Sequence, residues 1–372
     1  MAHTVLGLCN LHSGTDLGPL TANRTMASTS FLGRYAFIDF ALSNLCNSGI
    51  DDVGILIKDH PRSILRHLGS MTAWIENTKI GRETIMFNEH GILNPPYNHD
   101  ISNIVFNEWV LNRSNPDYIV IHPVHIVSTI DFAPILKEHI ERNEQITVVY
   151  THLKNADEAF MTSNILSLDK NRYVIGIKKN DRSVKEADVS MESYIINRST
   201  MYNLIKKAEK TNALFGLKEI IAEVANKIIP VHAYEYIGYA RCFDSLEHFM
   251  KYSLELLNAS IANQLFLNDW PIYTLTHDTP PSIYGEFAKV KNSFVANGAI
   301  VEGRVEGSIV SRNVKVHKNA YIKDSIILSK SVIGDGVELE NVLIDKYCTI
   351  HDNTKLKGTK SQPLYIPQGA VI

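Results

Sequence analysis

The segment Thr4-Val5-Leu6-Gly7-Leu8-Cys9-Asn10-Leu11-His12-Ser13-Gly14-Thr15-Asp16-Leu17-Gly18-Pro19-Leu20-Thr21 joins a short apolar run to a loop that contains glycine and proline. The apolar residues 4–8 predict a buried strand. In an open α/β sheet, the loop after the first strand is the place where a phosphate group is held. Taken alone, Ser13-Gly14 is equally compatible with a simple turn, so the rest of the chain decides what this loop is.

Short apolar runs alternate with amphipathic segments from this loop as far as about residue 250. Strands are predicted at residues 53–57, 118–121, 146–150 and 194–196, and helices at 38–48, 133–142, 199–210 and 217–225. Such alternation predicts an α/β fold, with a mostly parallel sheet covered by helices on both faces. A further helix is predicted at 246–258, before the break at Asp278-Thr279-Pro280-Pro281.

The rhythm changes beyond that break to an apolar residue at every sixth position. The main series is Val310, Val316, Ile322 and Leu328, then Ile333 and Leu339 after a five-residue step, then Ile344 and Ile350 after another; Val314, Ala320 and Ile326 form a second series. This period fits neither a helix nor a hairpin and is typical of a parallel β-helix, although chance spacing in an antiparallel sheet is the alternative. The predicted domains are 1–250, a helix and linker at 251–291, and a β-helix at 292–372.

Composition and net charge argue against several classes of protein. The chain has 372 residues, 45% of them hydrophobic, a length that favours two domains. Its 37 basic and 40 acidic residues give a net charge of −3, which argues against a nucleic-acid surface. No apolar run is long enough to span a membrane, and residues 1–4 lack signal-peptide features. The four cysteines, Cys9, Cys46, Cys242 and Cys348, are widely spaced. We therefore expect neither disulfides nor a zinc site, and we expect a cytoplasmic location.

Several stretches match one family closely. The first loop keeps Gly14, Thr15, Leu17, Leu20, Thr21 and Arg24, and further matches are Arg34-Tyr35, Ile38-Asp39-Phe40-Ala41-Leu42-Ser43-Asn44, Asn47-Ser48-Gly49-Ile50 and Arg66-His67-Leu68. The chain thus resembles the glucose-1-phosphate adenylyltransferases of bacterial glycogen synthesis over nearly its whole length. The resemblance implies a Rossmann-like nucleotidyltransferase domain followed by a short left-handed parallel β-helix, with Asp39 and Ser43 as framework residues.

The resemblance also implies that the catalytic groups have been replaced. Leu11 and His12 stand at the family's paired glycines, Asp16 at its arginine, and Met26 at its lysine; Val124 and Cys242 stand at its two metal-binding aspartates. Glycines let backbone N–H groups approach a triphosphate, and the arginine neutralises its charge. Asp16 would instead repel phosphate, by roughly 4 kcal/mol for unit charges at ~4 Å and an effective dielectric near 20. We expect no catalytic site in this chain.

The remaining functional expectation is that a few residues of this chain still bind an anion. Lys179 matches the family lysine that holds the phosphate of glucose 1-phosphate, Ser190 belongs to a matching serine segment, and Arg24 matches an arginine near the family's anionic effector site. The alternative for Lys178 and Lys179 is a solvated surface pair. His122 and His125 are interpreted as turn residues, and no metal is expected.

The chain therefore resembles the regulatory, largely non-catalytic D-type subunit of this family. That role implies no cofactor in this chain, with Mg²⁺ and ATP bound by a catalytic partner in a heterotetramer, or a homo-oligomer when the chain is alone. Neither nucleic acid nor membrane is expected as a partner. Two alternatives remain open at this point: an active enzyme with a drifted site that uses Lys179 and Asp244, and a stand-alone sugar-phosphate sensor.

Overall fold

The computed structural model describes residues 3–12, 15–69, 72–74, 81–225 and 227–372. Ser13 and Gly14 of the first loop therefore lie outside the described residues. Within these ranges the chain forms an α/β region, a pair of helices and a parallel β-helix. None of the helices in them is both long and apolar enough to cross a membrane.

The α/β region contains the first thirteen strands and the first eight helices described here. The strands are β1 (Val5–Asn10), β2 (Ser30–Phe31), β3 (Tyr35–Ala36), β4 (Asp52–Ile57), β5 (Arg82–Phe87), β6 (Tyr118–Pro123), β7 (Ile126–Ser128), β8 (Ile146–Leu153), β9 (Asn164–Leu168), β10 (Val174–Lys179), β11 (Ala187–Asn197), β12 (Val231–Glu235) and β13 (Ala240–Cys242). The helices are α1 (Phe37–Asn47), α2 (Pro61–Leu68), α3 (Glu89–Leu93), α4 (Asp100–Phe106), α5 (Glu108–Ser114), α6 (Phe132–Glu141), α7 (Arg198–Thr211) and α8 (Leu217–Val224).

The main sheet is mostly parallel in its centre. Strand β1 pairs in parallel with β4 and with β6, and β4 pairs in parallel with β5. The long strand β11 runs antiparallel between β6 and β8, and β12 closes the other side of β8 in parallel. Two separate apolar clusters pack against this sheet, as expected for a sheet that buries both faces. The carboxyl ends of β1 and β6 therefore meet at one edge, where loops collect.

The predicted framework residues are buried and bonded. An Asp39 carboxylate oxygen accepts a hydrogen bond from the backbone N–H of Ala36 at 2.9 Å, which fixes the start of α1. The Ser43 hydroxyl accepts from the backbone N–H of Tyr273 at 2.9 Å. Both residues thus hold α1 in place.

The helix predicted at 246–258 is present but ends at Glu255, and a second helix follows it. They are α9 (Leu246–Glu255) and α10 (Ala259–Leu265). Asn258 accepts a hydrogen bond from the backbone N–H of Ser260 at 3.0 Å, so it caps the second helix and separates it from the first.

The β-helix is built from three parallel five-stranded sheets. Its strands are β14 (Ile283–Tyr284), β15 (Lys289–Lys291), β16 (Phe294–Val295), β17 (Ile300–Val301), β18 (Arg304–Glu306), β19 (Ile309–Val310), β20 (Lys315–Val316), β21 (Tyr321–Lys323), β22 (Ile326–Ile327), β23 (Val332–Ile333), β24 (Glu338–Glu340), β25 (Val342–Ile344), β26 (Thr349–Ile350), β27 (Lys355–Lys357) and β28 (Leu364–Ile366). Each strand pairs with the strand three places further along the chain. The array is a left-handed β-helix of hexapeptide type, and its strands begin upstream of Asn292.

The hexapeptide period marks the interior of the β-helix. Every residue of both apolar series is buried. At β22, however, the interior position aligned with Val310 and Ile344 is Ile327, while Ile326 and Leu328 pack toward the α/β region. Asparagines occupy the left-handed backbone region at many corners, including Asn313, Asn319, Asn341 and Asn353, because asparagine tolerates positive φ better than most residues. The sequence period thus corresponds to one side of each coil.

An aromatic cluster joins the β-helix to the α/β region. Phe31 stacks on Phe37, and Phe243 packs edge-to-face against both, with ring centroids 4.7 to 5.3 Å apart. The same buried cluster contains Ile309, Ile326, Leu328 and Leu343 of the β-helix. The loop after β1 is therefore placed against the β-helix.

Candidate functional site

Leu11 and His12 turn into the interior where the loop leaves β1. The Leu11 side chain is buried, and its backbone N–H donates to the Leu56 carbonyl at 3.1 Å. The His12 ring nitrogen Nε2 lies 3.0 Å from Nδ2 of Asn103, and burial lowers the pKa of His12 to about 4. His12 is therefore neutral at neutral pH. Two side chains occupy the space in which paired glycines would let the backbone approach a phosphate.

Asp16 closes its own turn. One carboxylate oxygen accepts from the backbone N–H of Gly18 at 2.8 Å and from the Thr21 hydroxyl at 2.5 Å. This is the usual role of aspartate in an Asx turn. The same loop lines what we call the first cavity, of about 420 Å³, together with Met26, Lys58, Asp59 and Val124. The carboxylate thus organises the rim of that cavity.

Met26 and Val124 make one wall of the first cavity apolar. The Met26 sulfur lies 3.6 Å from the Thr15 hydroxyl, and both Met26 and Val124 are buried. Hard divalent cations such as Mg²⁺ require oxygen ligands. Neither Met26 nor Val124 can serve a metal or a phosphate.

Arg24 is paired within the protein. Its guanidinium makes two bonds to the Asp345 carboxylate, at 2.8 and 2.7 Å, and a third to Gln368 at 2.6 Å. Tyr365 also donates to Asp345, at 2.7 Å. Arg24 and Asp345 are 8% and 1% exposed, so this is a buried bidentate ion pair between the first loop and the β-helix. The Asp345 carboxylate therefore already occupies the guanidinium of Arg24, which was expected to bind an external anion.

Cys242 and Asp244 lie where a second metal carboxylate is expected. Cys242 is fully buried, its sulfur is 3.8 Å from the Thr162 hydroxyl, and burial raises the pKa of its thiol. Asp244 accepts from the backbone N–H of Met161 at 2.8 Å and contacts His248 Nδ1 at 2.5 Å. Asp244 thus has internal partners on both oxygens.

His122 lies within β6, so its interpretation as a turn residue was wrong, whereas His125 lies in the bend between β6 and β7. Both are buried, but they differ in their contacts. His122 Nδ1 lies 2.8 Å from the Ser193 hydroxyl, and its Nε2 lies 3.3 Å from Nδ2 of Asn44. His125 Nε2 lies 3.8 Å from a Glu192 carboxylate oxygen, which is too far for a hydrogen bond. Burial lowers the pKa of each histidine to about 3. Across the described ranges, no three His, Cys, Asp or Glu side chains are arranged to hold a metal ion.

A second cavity brings two lysines together. It has a volume of about 470 Å³ and is lined by Thr162, Asn164, Ile177, Lys179, Lys218, Glu219 and Ala222. Ser190 borders a smaller adjoining space that also touches Lys218. Lys178 lies outside this lining and pairs with Asp181 at 3.2 Å. The structure thus brings the predicted Lys179 and Ser190 close together and leaves Arg24 elsewhere.

Sequence reasoning assigned no role to Lys218, Glu192 or Asp100. Lys218 is in the first turn of α8, where a lysine carries no signal of its own. Asp100 starts α4, accepts from Asn10 Nδ2 at 2.9 Å and from the backbone N–H of Leu217 at 2.8 Å, and so links β1 to α8. Glu192 stands at the glycine of a Ser-Met-Gly-Ile-Tyr segment in the family that the chain resembles, and this departure is the only sequence signal that we find for it.

Known proteins are similar to this chain over nearly its full length. The chain matches the nucleotidyl transferase family over residues 13–228 and the family described as GlmU-like, C-terminal hexapeptide over residues 282–361. It is 32% identical over 358 residues to "Glycogen biosynthesis protein GlgD" of Bacillus subtilis (strain 168), a match that covers 96% of this chain and 93% of that protein. It is 26% identical over 361 residues to "Glucose-1-phosphate adenylyltransferase" of Bacillus thuringiensis (strain Al Hakam), covering 94% of this chain and 93% of that protein.

Proposed function

The chain belongs to the nucleotidyl transferase family of glycogen biosynthesis that includes the bacterial glucose-1-phosphate adenylyltransferases, and we propose that it is a regulatory, largely non-catalytic subunit within that family. The observation that carries this proposal is the replacement of charged site groups by buried or internally bonded ones. Asp16 caps a turn, Val124 is apolar, and Cys242 is a buried thiol.

The residues around the first cavity do not fit a Mg²⁺–ATP complex. A Mg²⁺ ion that bridges phosphates is normally bound through carboxylates, and Val124 and Cys242 supply none at the two expected positions. Asp16 adds negative charge to the rim that would face a triphosphate. We therefore derive no catalytic step for this chain and assign Mg²⁺ and ATP to a catalytic partner.

The proposed partner is a catalytic glucose-1-phosphate adenylyltransferase subunit in a heterotetramer, which makes ADP-glucose for glycogen synthesis. A homologue with the same fold can use the same isologous interfaces as its active relative, because such contacts depend on surface shape. Its effect on rate would come from biasing the partner's conformation, a coupling of typically about 1–3 kcal/mol. Without that partner the chain would form a homo-oligomer.

The proposed location is the cytoplasm. The structure describes all four cysteines, Cys9, Cys46, Cys242 and Cys348, as buried and outside any disulfide, and reduced thiols persist in a reducing compartment. This proposal agrees with assembly on a cytoplasmic enzyme.

A second candidate function is supported by the lysines of the second cavity. Lys179 and Lys218 line one space, as a phosphate site requires. A stand-alone sugar-phosphate sensor would use them without turnover. An active but drifted enzyme has less support, because both Asp244 oxygens already have internal partners.

The proposal is tested by assembly and by turnover of the chain alone. The purified chain is assayed for pyrophosphate release with ATP, Mg²⁺ and glucose 1-phosphate, and is mixed with a catalytic subunit for size-exclusion chromatography. We expect negligible turnover and a mixed complex larger than either component. Turnover alone at the rate of the catalytic subunit would contradict the non-catalytic role, and independent elution of the two chains would contradict the subunit role.

A further inference from the structure

Glu192 has a backbone conformation that suits glycine. Its φ is 51°, in the left-handed region, at a bulge of β11 where the pairing with β8 shifts between Ser190 and Ser193. Its N–H donates to the Ser190 hydroxyl at 3.1 Å. Residues with a side chain rarely adopt this conformation without a compensating reason. The contacts of the Glu192 side chain are therefore informative.

The Glu192 carboxylate is buried between one lysine and one histidine. It is 11% exposed, with one oxygen 3.7 Å from Lys218 Nζ and the other 3.8 Å from His125 Nε2. In the part of the chain that the structure describes, oxygen Oε1 and both His125 ring nitrogens lack a hydrogen-bond partner. Burial raises the pKa of the Glu192 carboxyl. Buried polar groups without hydrogen bonds are costly, so packing stability does not explain this arrangement.

The position of the carboxylate suggests what it does. Lys218 lines the second cavity together with Lys179 and with Glu219, and Glu192 contacts Lys218 from the protein interior. The two lysines of the cavity therefore face two carboxylates, Glu192 and Glu219. Asp100 adds a further negative charge near Glu192. An incoming phosphate would meet Lys218 with its charge already paired to the Glu192 carboxylate.

We propose that Glu192 is an internal anion that pairs with Lys218 and closes the inner end of the second cavity to phosphorylated sugars. Glu192 is then a specificity-determining residue that keeps this chain from binding the substrate of a catalytic subunit. The inference rests on the proposed function, in which this chain binds no substrate of its own. Loss of the carboxylate would leave Lys218 and Lys179 facing Glu219 alone.

Glu192→Gly is the direct test, because glycine removes the carboxylate and fits the φ of 51°. Binding of glucose 1-phosphate, and separately of inorganic phosphate, is measured by isothermal titration calorimetry on the full chain alone. We expect the variant to bind glucose 1-phosphate at least about tenfold more tightly than wild type, since a like charge next to the site is gone. Glu192→Gln, which keeps the bulk but removes the charge, should give a smaller gain.

Matched lysine variants locate the gained site. In the Glu192→Gly background, Lys218→Met should abolish the gained binding. Lys178→Met should preserve it, because Lys178 pairs with Asp181 outside the cavity. Binding that survives Lys218→Met would place the ligand elsewhere and overturn the proposal.

Three other outcomes would overturn it. Wild type that binds glucose 1-phosphate as tightly as Glu192→Gly would show an open site and favour the sensor. A Glu192→Gly variant without gained binding would show that the carboxylate does not block the cavity. A variant that melts well below wild type would show that Glu192 serves packing, since glycine should be tolerated at this φ. No partner is present in these assays, so their failure leaves the subunit role untouched.

Discussion

The two cavities of the α/β region differ in how their charged side chains are matched. At the first cavity, Asp16 caps a turn, and Arg24 is bound by Asp345 of the β-helix. At the second cavity, Lys179 and Lys218 line the space itself, with Glu192 behind Lys218. The comparison shows that a charged residue at a family's binding position indicates ligand binding only when its partners inside the protein are also known. Internal bonds hold the charged groups of the first cavity, whereas we propose that the second could bind an anion if the Glu192 carboxylate were removed.

The largest expected effect is a loss of folding stability in acid, caused by three buried histidines near the carboxyl ends of β1 and β6. The pKa values of His12, His122 and His125 are lowered by burial to about 4, about 3 and about 3. In the unfolded chain each histidine binds a proton below about pH 6.5, whereas the folded state does not. Stability is thus lost as the pH falls from about 6.5 toward about 3, by about 2 kcal/mol per histidine at about pH 5.

The measurement is the free energy of unfolding in urea as a function of pH. Together the three histidines should remove about 6 kcal/mol between about pH 7 and about pH 5, a large share of a typical domain's stability. His125→Phe should reduce this loss by roughly a third, because one proton uptake is removed. A pH-independent free energy of unfolding over this range would contradict the assignment of neutral buried histidines.

Breaking the Arg24–Asp345 pair should have the next largest effect. Arg24→Ala leaves a carboxylate that is 1% exposed without its counter-charge, and such a change typically costs about 3–5 kcal/mol. The free energy of unfolding of the single variants and of Arg24→Ala/Asp345→Ala is measured by urea denaturation. The double variant should lose less than the sum of the single variants, because the two residues share one interaction.

An exposed ion pair of the β-helix provides the control. Arg304 and Glu306 are 2.7 Å apart, with side chains 52% and 27% exposed. Arg304→Ala should cost far less stability than Arg24→Ala, because solvent-exposed ion pairs contribute little. If Arg24→Ala costs no more than this control, the first loop is not held by the β-helix.

Restoring single catalytic groups at the first cavity should have a small effect. Asp16→Arg returns a cation but removes the acceptor for Gly18 and Thr21, and Val124 still provides no metal ligand. Groups that act as a unit are strongly non-additive, so each single reversion should stay within about tenfold of the starting rate.

The combined variant sharpens this comparison. It carries Leu11→Gly, His12→Gly, Asp16→Arg, Val124→Asp and Cys242→Asp, and it should show more pyrophosphate release than any single reversion. A gain of more than about a hundredfold from Asp16→Arg alone would mean that residues other than those at Val124 and Cys242 hold the metal.

The smallest expected effect is that of an anionic effector on Arg24. Because Asp345 already occupies its guanidinium, fructose bisphosphate or phosphate should produce no Arg24-dependent shift in the melting temperature of the chain. The check is a melting curve with and without each anion, on wild type and Arg24→Ala. Tight binding that Arg24→Ala abolishes would show that the internal pair opens for a ligand.

Local periodicity explains what could be predicted from the sequence. The apolar runs of the sheet and the hexapeptide series report which residues face an interior, so strands such as β6 and the buried Ile322 and Ile350 were predictable. The helix predicted at 246–258 forms as α9, whereas α10 was missed because Asn258, which caps it, carries little weight in an apolar pattern.

The partners of the site residues could not be predicted in the same way. Arg24 and Asp345 are 321 positions apart in sequence, and no local pattern links them. Lys218 joins Lys179 only because α8 packs beside β10 and β11. The sequence therefore predicted which residues depart from the family pattern, and only the fold showed which of them lie close together.

The central claim is that this chain changes the activity of a partner and has none of its own. Its most direct test is pyrophosphate release by a fixed amount of catalytic subunit, titrated with this chain, with each component alone as control. We predict a saturable rise in rate or fall in KM, of roughly 5- to 150-fold at most, and no turnover without the catalytic subunit. Turnover by this chain alone, or a mixture no different from its catalytic component, would contradict the account.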